Sequence, residues 1–163
     1  MRAALAQRPL ELVSFEIDGG RYALLASAVR EVVRAVSIVP LPKAPAIVEG
    51  VIDVRGTIAP VLDIRTRFGL PSRPLSHTDH FVIAWSQGRI VALRVDRALD
   101  LLRLDPGQVD DTRSAVPGSE YIAGVARLQD GLLLIHDLET FLSQAEQARL
   151  DAALASHREE GEP

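Results

Sequence analysis

A chain of 163 residues is long enough for one domain, or for two small subdomains that share a core. With 47 % apolar and 25 % charged residues the balance is globular, and a net charge of −4 with arginines scattered among carboxylates argues against the basic face that nucleic-acid binding needs. The lack of cysteine excludes a disulfide framework and a thiolate metal site, in keeping with a reducing compartment.

From Leu10 to Asp18 the residues alternate, with Val13, Phe15 and Ile17 on the more apolar face. This predicts a half-buried strand. Gly19-Gly20 supplies a turn and Arg21 to Leu25 the returning strand. Ser27 is a capping residue for a short predicted helix with Val29, Val32 and Val33 on one side and Arg30, Glu31 and Arg34 on another. Val36 to Val39 is expected to return as a strand, and the prolines at 40, 42 and 45 end regular pairing.

The stretch from Gly50 to Gly69 is the centre of the chain. Val51–Val54 and Ile58–Leu62 are aliphatic runs around Arg55-Gly56-Thr57, where Gly56 can take a positive φ. Asp63 can cap a short helix that stops at Gly69. Residues 70–79 carry turn chemistry and read as a connection between halves. Phe81–Trp85 and Arg89–Val95 predict a second hairpin, Leu99–Leu104 a further strand, Asp110–Gly118 a loop, and Tyr121–Leu128 with Leu132–Ile135 a third hairpin. A closing helix from about Asp137 aligns Leu138, Phe141, Leu142 and Ala145, and the charged tail from His157 is expected to fray.

The halves repeat. A shift of 74 residues lays Gly50 on Gly124, Val61 on Ile135, Asp63 on Asp137 and Ile64 on Leu138; a shift of 68 lays Gly20-Arg21 on Gly88-Arg89. Short strands with frequent turns, duplicated in this way, point to small barrels or a sandwich.

The longest apolar runs, such as Leu132 to Ile135, fall far short of the roughly 20 residues of a membrane span. Met1 to Gln7 is too short and interrupted for the apolar core of a signal peptide, so the expected location is the cytoplasm.

Of the groups that could do chemistry, Ser76-His77-Thr78-Asp79-His80 offers His77, Asp79 and His80 as metal ligands, although a polar linker is the plainer reading. His136 beside Asp137 could form an acid–base pair, but a structural histidine at a strand end is commoner. Asp53 lies two residues from Arg55, on the same face of an extended strand and within reach of an ion pair. No nucleophile elbow or phosphate-cradling loop is present, and no enzymatic activity is expected.

The pattern Leu41-Pro42, Pro45, Gly50-Val51, Val54-Arg55-Gly56, Ile58, Pro60-Val61, Asp63 and Phe68-Gly69 resembles the signature of the CheW family, the adaptors of bacterial chemotaxis arrays. Glu120-Tyr121-Ile122, Gly124-Val125 and Leu132 to Leu138 resemble its C-terminal half, and the likeness runs from about Leu10 to about Leu142. Two departures stand out. Asp53 occupies a position where the family usually has Asn, and His136 one where an aliphatic residue is commoner.

The resemblance implies a mainly β fold of two small SH3-like five-stranded barrels about a pseudo-two-fold axis, with short helices and a C-terminal helix. It divides the chain into a tail (1–9), a CheW-like domain (10–145) and a helix end with a charged tail (146–163). It implies a scaffold without cofactor or metal that joins the cytoplasmic tip of a chemoreceptor to the regulatory domain of a CheA-type histidine kinase. By the same resemblance Val29, Glu31 and Arg55 are expected to meet the receptor, and Ile38 and Ile58 the kinase. Two alternatives stay open: a related adaptor serving twitching or gene expression, and a small metal-binding β-barrel hydrolase.

Overall fold

The computed structural model describes residues 9–110 and 121–161. Glu120, the segment before Pro9 and nearly all of the predicted loop that starts at Asp110 lie outside the described residues. Eleven strands are described: β1 (Leu10–Ile17), β2 (Gly20–Leu25), β3 (Val29–Arg34), β4 (Val48–Val54), β5 (Thr57–Leu62), β6 (His80–Ser86), β7 (Arg89–Val95), β8 (Arg97–Leu104), β9 (Val109–Asp110), β10 (Ile122–Leu128) and β11 (Gly131–His136). A short helix, Ile64–Arg67, follows β5, and a long one, Gln144–Gly161, follows β11.

They form two sheets, in the orders β8-β1-β2-β11-β10-β9 and β3-β6-β7-β5-β4. Hairpin β1–β2 occupies in the first sheet the place that β6–β7 occupies in the second, β8 that of β3, and β10–β11 that of β4–β5. The predicted repeat is therefore real, with each sheet assembled from both halves of the chain. Even the irregularities repeat. The pairing of β4 with β5 slips between Val48 and Gly50, and that of β10 with β11 slips between Ile122 and Gly124, the same positions under the shift of 74. Each sheet also contains one parallel pair, β5 with β7 and β11 with β2.

Three tight turns follow from local chemistry. At Asp18-Gly19, Arg55-Gly56 and Gln87-Gly88 both residues have positive φ, the two-residue geometry that suits the twist of a hairpin. The first turn thus sits one residue earlier than the predicted Gly19-Gly20.

Each sheet carries a hydrophobic core on both of its faces. Phe15, Ile17 and Leu24 from one sheet meet Val51, Leu62, Val82 and Leu93 from the other in a shared core, completed by Phe141, Leu150 and Ala153 from the C-terminal segment. On its opposite face each sheet curls around a smaller core, Leu10, Leu12, Ala126 and Leu133 in one case and Ile52, Val61, Phe81 and Ile83 in the other. The hydrogen-bonded order stays open in both, so the SH3-like subdomains are curled sheets of six and five strands in place of two closed five-stranded barrels.

Double burial corrects the reading of β1. Leu12 faces one core and Phe15 the other, and the register slips between Val13 and Phe15, so the strand is not half-buried. The predicted helix over 29–34 is strand β3, paired with β6; only Ala26–Ala28 forms a single 3-10 turn. Valines pack better on a pleated surface than on a helix, and pairing decided the outcome. Val36–Val39 does not make a full strand. It contributes one bridge, Val39 to Val51. After Asp137 the chain makes a 3-10 turn, Leu138–Thr140, before the long helix starts at Gln144, and that helix continues past His157.

Candidate functional site

The β4–β5 hairpin places Arg55 at its tip, in the left-handed conformation at φ 50°. Its turn is fixed by Asp53, whose Oδ1 accepts the Gly56 N–H at 2.7 Å. The expected Asp53–Arg55 ion pair is not what forms. Asp53 serves the turn, and Arg55 Nη2 lies 2.9 Å from Oε2 of Glu31 on β3. β3 and β4 are the two edges of the five-stranded sheet, so this pair spans the mouth of the curl, as the Val39–Val51 bridge does further along. The Arg55 side chain is 72 % exposed and that of Glu31 19 %, which leaves the guanidinium available to a partner while Glu31 anchors it. The second Glu31 oxygen, Oε1, is buried without a hydrogen-bond partner. Val29, half-buried at the start of β3, packs on the shared core.

The structure thus joins Glu31 to Arg55 directly. Ile38 packs on the core of the five-stranded sheet, where its Cγ2 approaches Gly50. Ile58, opposite Asp53 in the hairpin, is 43 % exposed and opens toward Trp85 and the C-terminal helix.

Asp63 and Asp137 play the same part in the two halves. Asp63 Oδ1 accepts the Arg65 N–H and Asp137 Oδ1 the Glu139 N–H, each 3.2 Å away and each just after the last strand of its hairpin. The duplicated cap read from the sequence is a structural device.

Between the sheets lies an ionic network that no local motif announced. Arg65, a buried residue of the short helix, donates twice to Asp96 at 2.7 and 2.8 Å. Arg73 joins Asp96 to Asp79 at 2.7 and 2.5 Å, and buried Arg94 reaches Glu49 at 3.0 Å. Burial acts to raise the Asp96 carboxyl, but hydrogen bonds from Arg65, the Asp18 N–H and Arg73 together hold it below its usual value. For Glu49 burial prevails and raises it, against Arg94 and with help from Asp63 and Asp79.

This network also takes up one of the three residues offered as metal ligands. Asp79 is completely buried and accepts from Arg73 and the Ser76 N–H. Among the described residues no group of three His, Cys, Asp or Glu is placed to hold a metal. His136 is likewise structural. It stacks on Phe68, touches Tyr22 and Phe141, and its Nδ1 lies 3.1 Å from the Tyr121 carbonyl. Burial lowers its pKa to about 4, opposed by that hydrogen bond, and keeps the ring neutral.

Many of the described arginines pair with carboxylates, and the exposed positions of interest are a paired arginine and the groove beside Ile58. That is the build of a protein that works through its surfaces. Residues 11–146 match the family model described as the CheW-like domain, and the chain belongs to that family. It is 28 % identical to the chemotaxis protein CheW of Treponema pallidum (strain Nichols), over 90 % of each chain. It is also 28 % identical to that of Thermotoga maritima, over 85 % of this chain and 91 % of the relative. Its fold is similar to the crystal structure of the scaffolding protein TtCheW from Thermoanaerobacter tengcongensis, with a TM-score of 0.79, 28 % identity, and coverage of 85 % of this chain and 96 % of that one. No helix among the described residues is long and apolar enough to cross a membrane.

Proposed function

We propose that this chain is a non-enzymatic cytoplasmic scaffold that couples the tip of a chemoreceptor to a CheA-type histidine kinase in chemotaxis signalling, recruited to membrane-associated receptor arrays. Family membership and relatives that bear the name chemotaxis protein CheW support the reading. The observation that carries it is the Arg55–Glu31 pair, an exposed guanidinium braced on a fixed turn. With Val29 this pair forms the receptor-facing surface; Ile38 and Ile58 belong to the kinase-facing one. A scaffold of this kind controls its kinase only by binding the kinase's two states with different affinities, since equal affinity shifts no equilibrium.

The test is a pair of charge substitutions. Arg55→Glu sets a carboxylate against Glu31 and reverses the charge shown to the receptor, so it should abolish receptor binding and spare the kinase. Ile58→Glu, at an exposed position, should fold and do the reverse. Circular dichroism establishes that both variants are folded. If both then lose both partners equally, the separation of surfaces is wrong.

A further inference from the structure

Between the β5–β7 part of the five-stranded sheet and the C-terminal helix lies an open groove of about 500 Å³. Its apolar surface comes from Ile58, Pro60 and Trp85 on the sheet and Leu154 on the helix. Trp85 is the one exposed position within β6, 51 % accessible between buried neighbours. β5 pairs with β4 along its length but with β7 only at Val61 and Leu62, and side chains of β5, β7 and the helix are presented to a ligand in the groove.

Those side chains are cationic. Arg30, Arg89 and Arg158 line the groove with a single carboxylate, Asp151, which pairs with Arg89. Arg30 and Arg158 make no ion pair among the described residues, and the buried Nε of Arg89 lacks an acceptor. A chain of net charge −4 therefore keeps unneutralised arginines beside an exposed tryptophan, the residue types that dominate binding hot spots.

We propose that this groove receives an acidic segment of the kinase, with an apolar side chain packed on Trp85 and carboxylates on Arg30 and Arg158. The proposal rests on the reading of Ile58 as kinase-facing and extends that surface across the sheet to the C-terminal helix. Complementary charge selects the occupant: a basic segment would be repelled, and a neutral one would leave the arginines unsatisfied.

Trp85 is the chain's only tryptophan, so 5-fluorotryptophan labelling places one fluorine in the groove. Addition of the unlabelled kinase regulatory domain should shift or broaden that resonance. Arg158→Glu, at an exposed helix position, should weaken kinase binding roughly tenfold at low salt, with a smaller loss at high salt. If the complex forms, Ile58→Glu disrupts it, and yet the resonance and the Arg158→Glu affinity are unchanged, the groove proposal alone is overturned. If no complex forms, or if Ile58→Glu also binds like the parent, the kinase-facing reading fails and takes the groove with it.

Discussion

Gly50→Ala adds one methyl group where the segment after β3 crosses β4. A Cβ at that position would lie 2.2 Å from the Val39 carbonyl oxygen and 2.7 Å from Ile38 Cγ2. A side chain could rotate away; this carbonyl cannot, because it accepts the Val51 N–H at 2.8 Å while the Val39 N–H donates back to Val51 at 3.0 Å. One response is that residues 38–39 lift off β4 and give up both hydrogen bonds, at about 0.5–1.5 kcal/mol each. The other is that β4 moves into the core and overpacks it, at about 1–3 kcal/mol. Either way the loss is about 1–3 kcal/mol. For a chain of this size each kcal/mol lowers the melting temperature by about 2–4 °C, which sets an expected fall on the order of 5 °C. Thermal and urea unfolding followed by circular dichroism measure it. Gly107→Ala is the control: nothing lies within 4 Å of its Cβ, and its stability should stay within about 0.5 kcal/mol of the parent. If Gly50→Ala unfolds with Gly107→Ala, the close approach of the two backbones does not constrain the fold as argued. Ile38 would move with the displaced segment, and its proposed place on the kinase-facing surface then predicts that kinase affinity falls in the same variant.

Asp79→Ala takes from Arg73 and the buried Arg94 one of the carboxylates that each faces and leaves the Ser76 N–H without its acceptor, and should destabilise by about 1–3 kcal/mol in urea titration; a change below about 0.5 kcal/mol would show that Asp79 is dispensable to the network. Asp53→Asn keeps an acceptor for the Gly56 N–H and should leave stability within about 0.5 kcal/mol, whereas Asp53→Ala should lose about 1 kcal/mol; equal effects would deny the carboxylate its turn-holding role. His136 titrates near 4 in the fold against 6.5 when unfolded, so between those values the unfolded chain binds the extra proton. Its contribution is complete above pH 6.5 and is lost as pH falls toward 4, amounting to about 3 kcal/mol. His136→Leu should flatten that part of the stability–pH curve, and an unchanged slope in the variant would assign it to other groups.

What could be read from the sequence was what local chemistry decides. The hairpins declared themselves through Gly19, Gly56 and Gly88, and the caps through Asp63 and Asp137, because each needs only a few consecutive residues. β3 was misread because Ser27 and three valines satisfy a helical spacing as well as a strand, and the choice lay with β6, far along the chain. The alternation in β1 hid its double burial because Leu12 and Phe15 face different cores. Of the site, Arg55 was legible as a charge in an apolar hairpin. Its partner was not, since Asp53 is near in sequence while Glu31 is brought near only by the curl of the sheet. The Arg65–Asp96–Arg73–Asp79 network joins side chains up to 31 positions apart, and Trp85 stood unnoticed in an ordinary strand pattern.

Transmission of receptor state to a kinase through this chain is measured by reconstituting receptor-bearing membranes with the kinase and following kinase autophosphorylation with and without the protein. The kinase should become receptor-regulated only when the protein is added, and Arg55→Glu should abolish the effect. Receptor control that is the same without the protein, or the same with Arg55→Glu as with the parent, would contradict it.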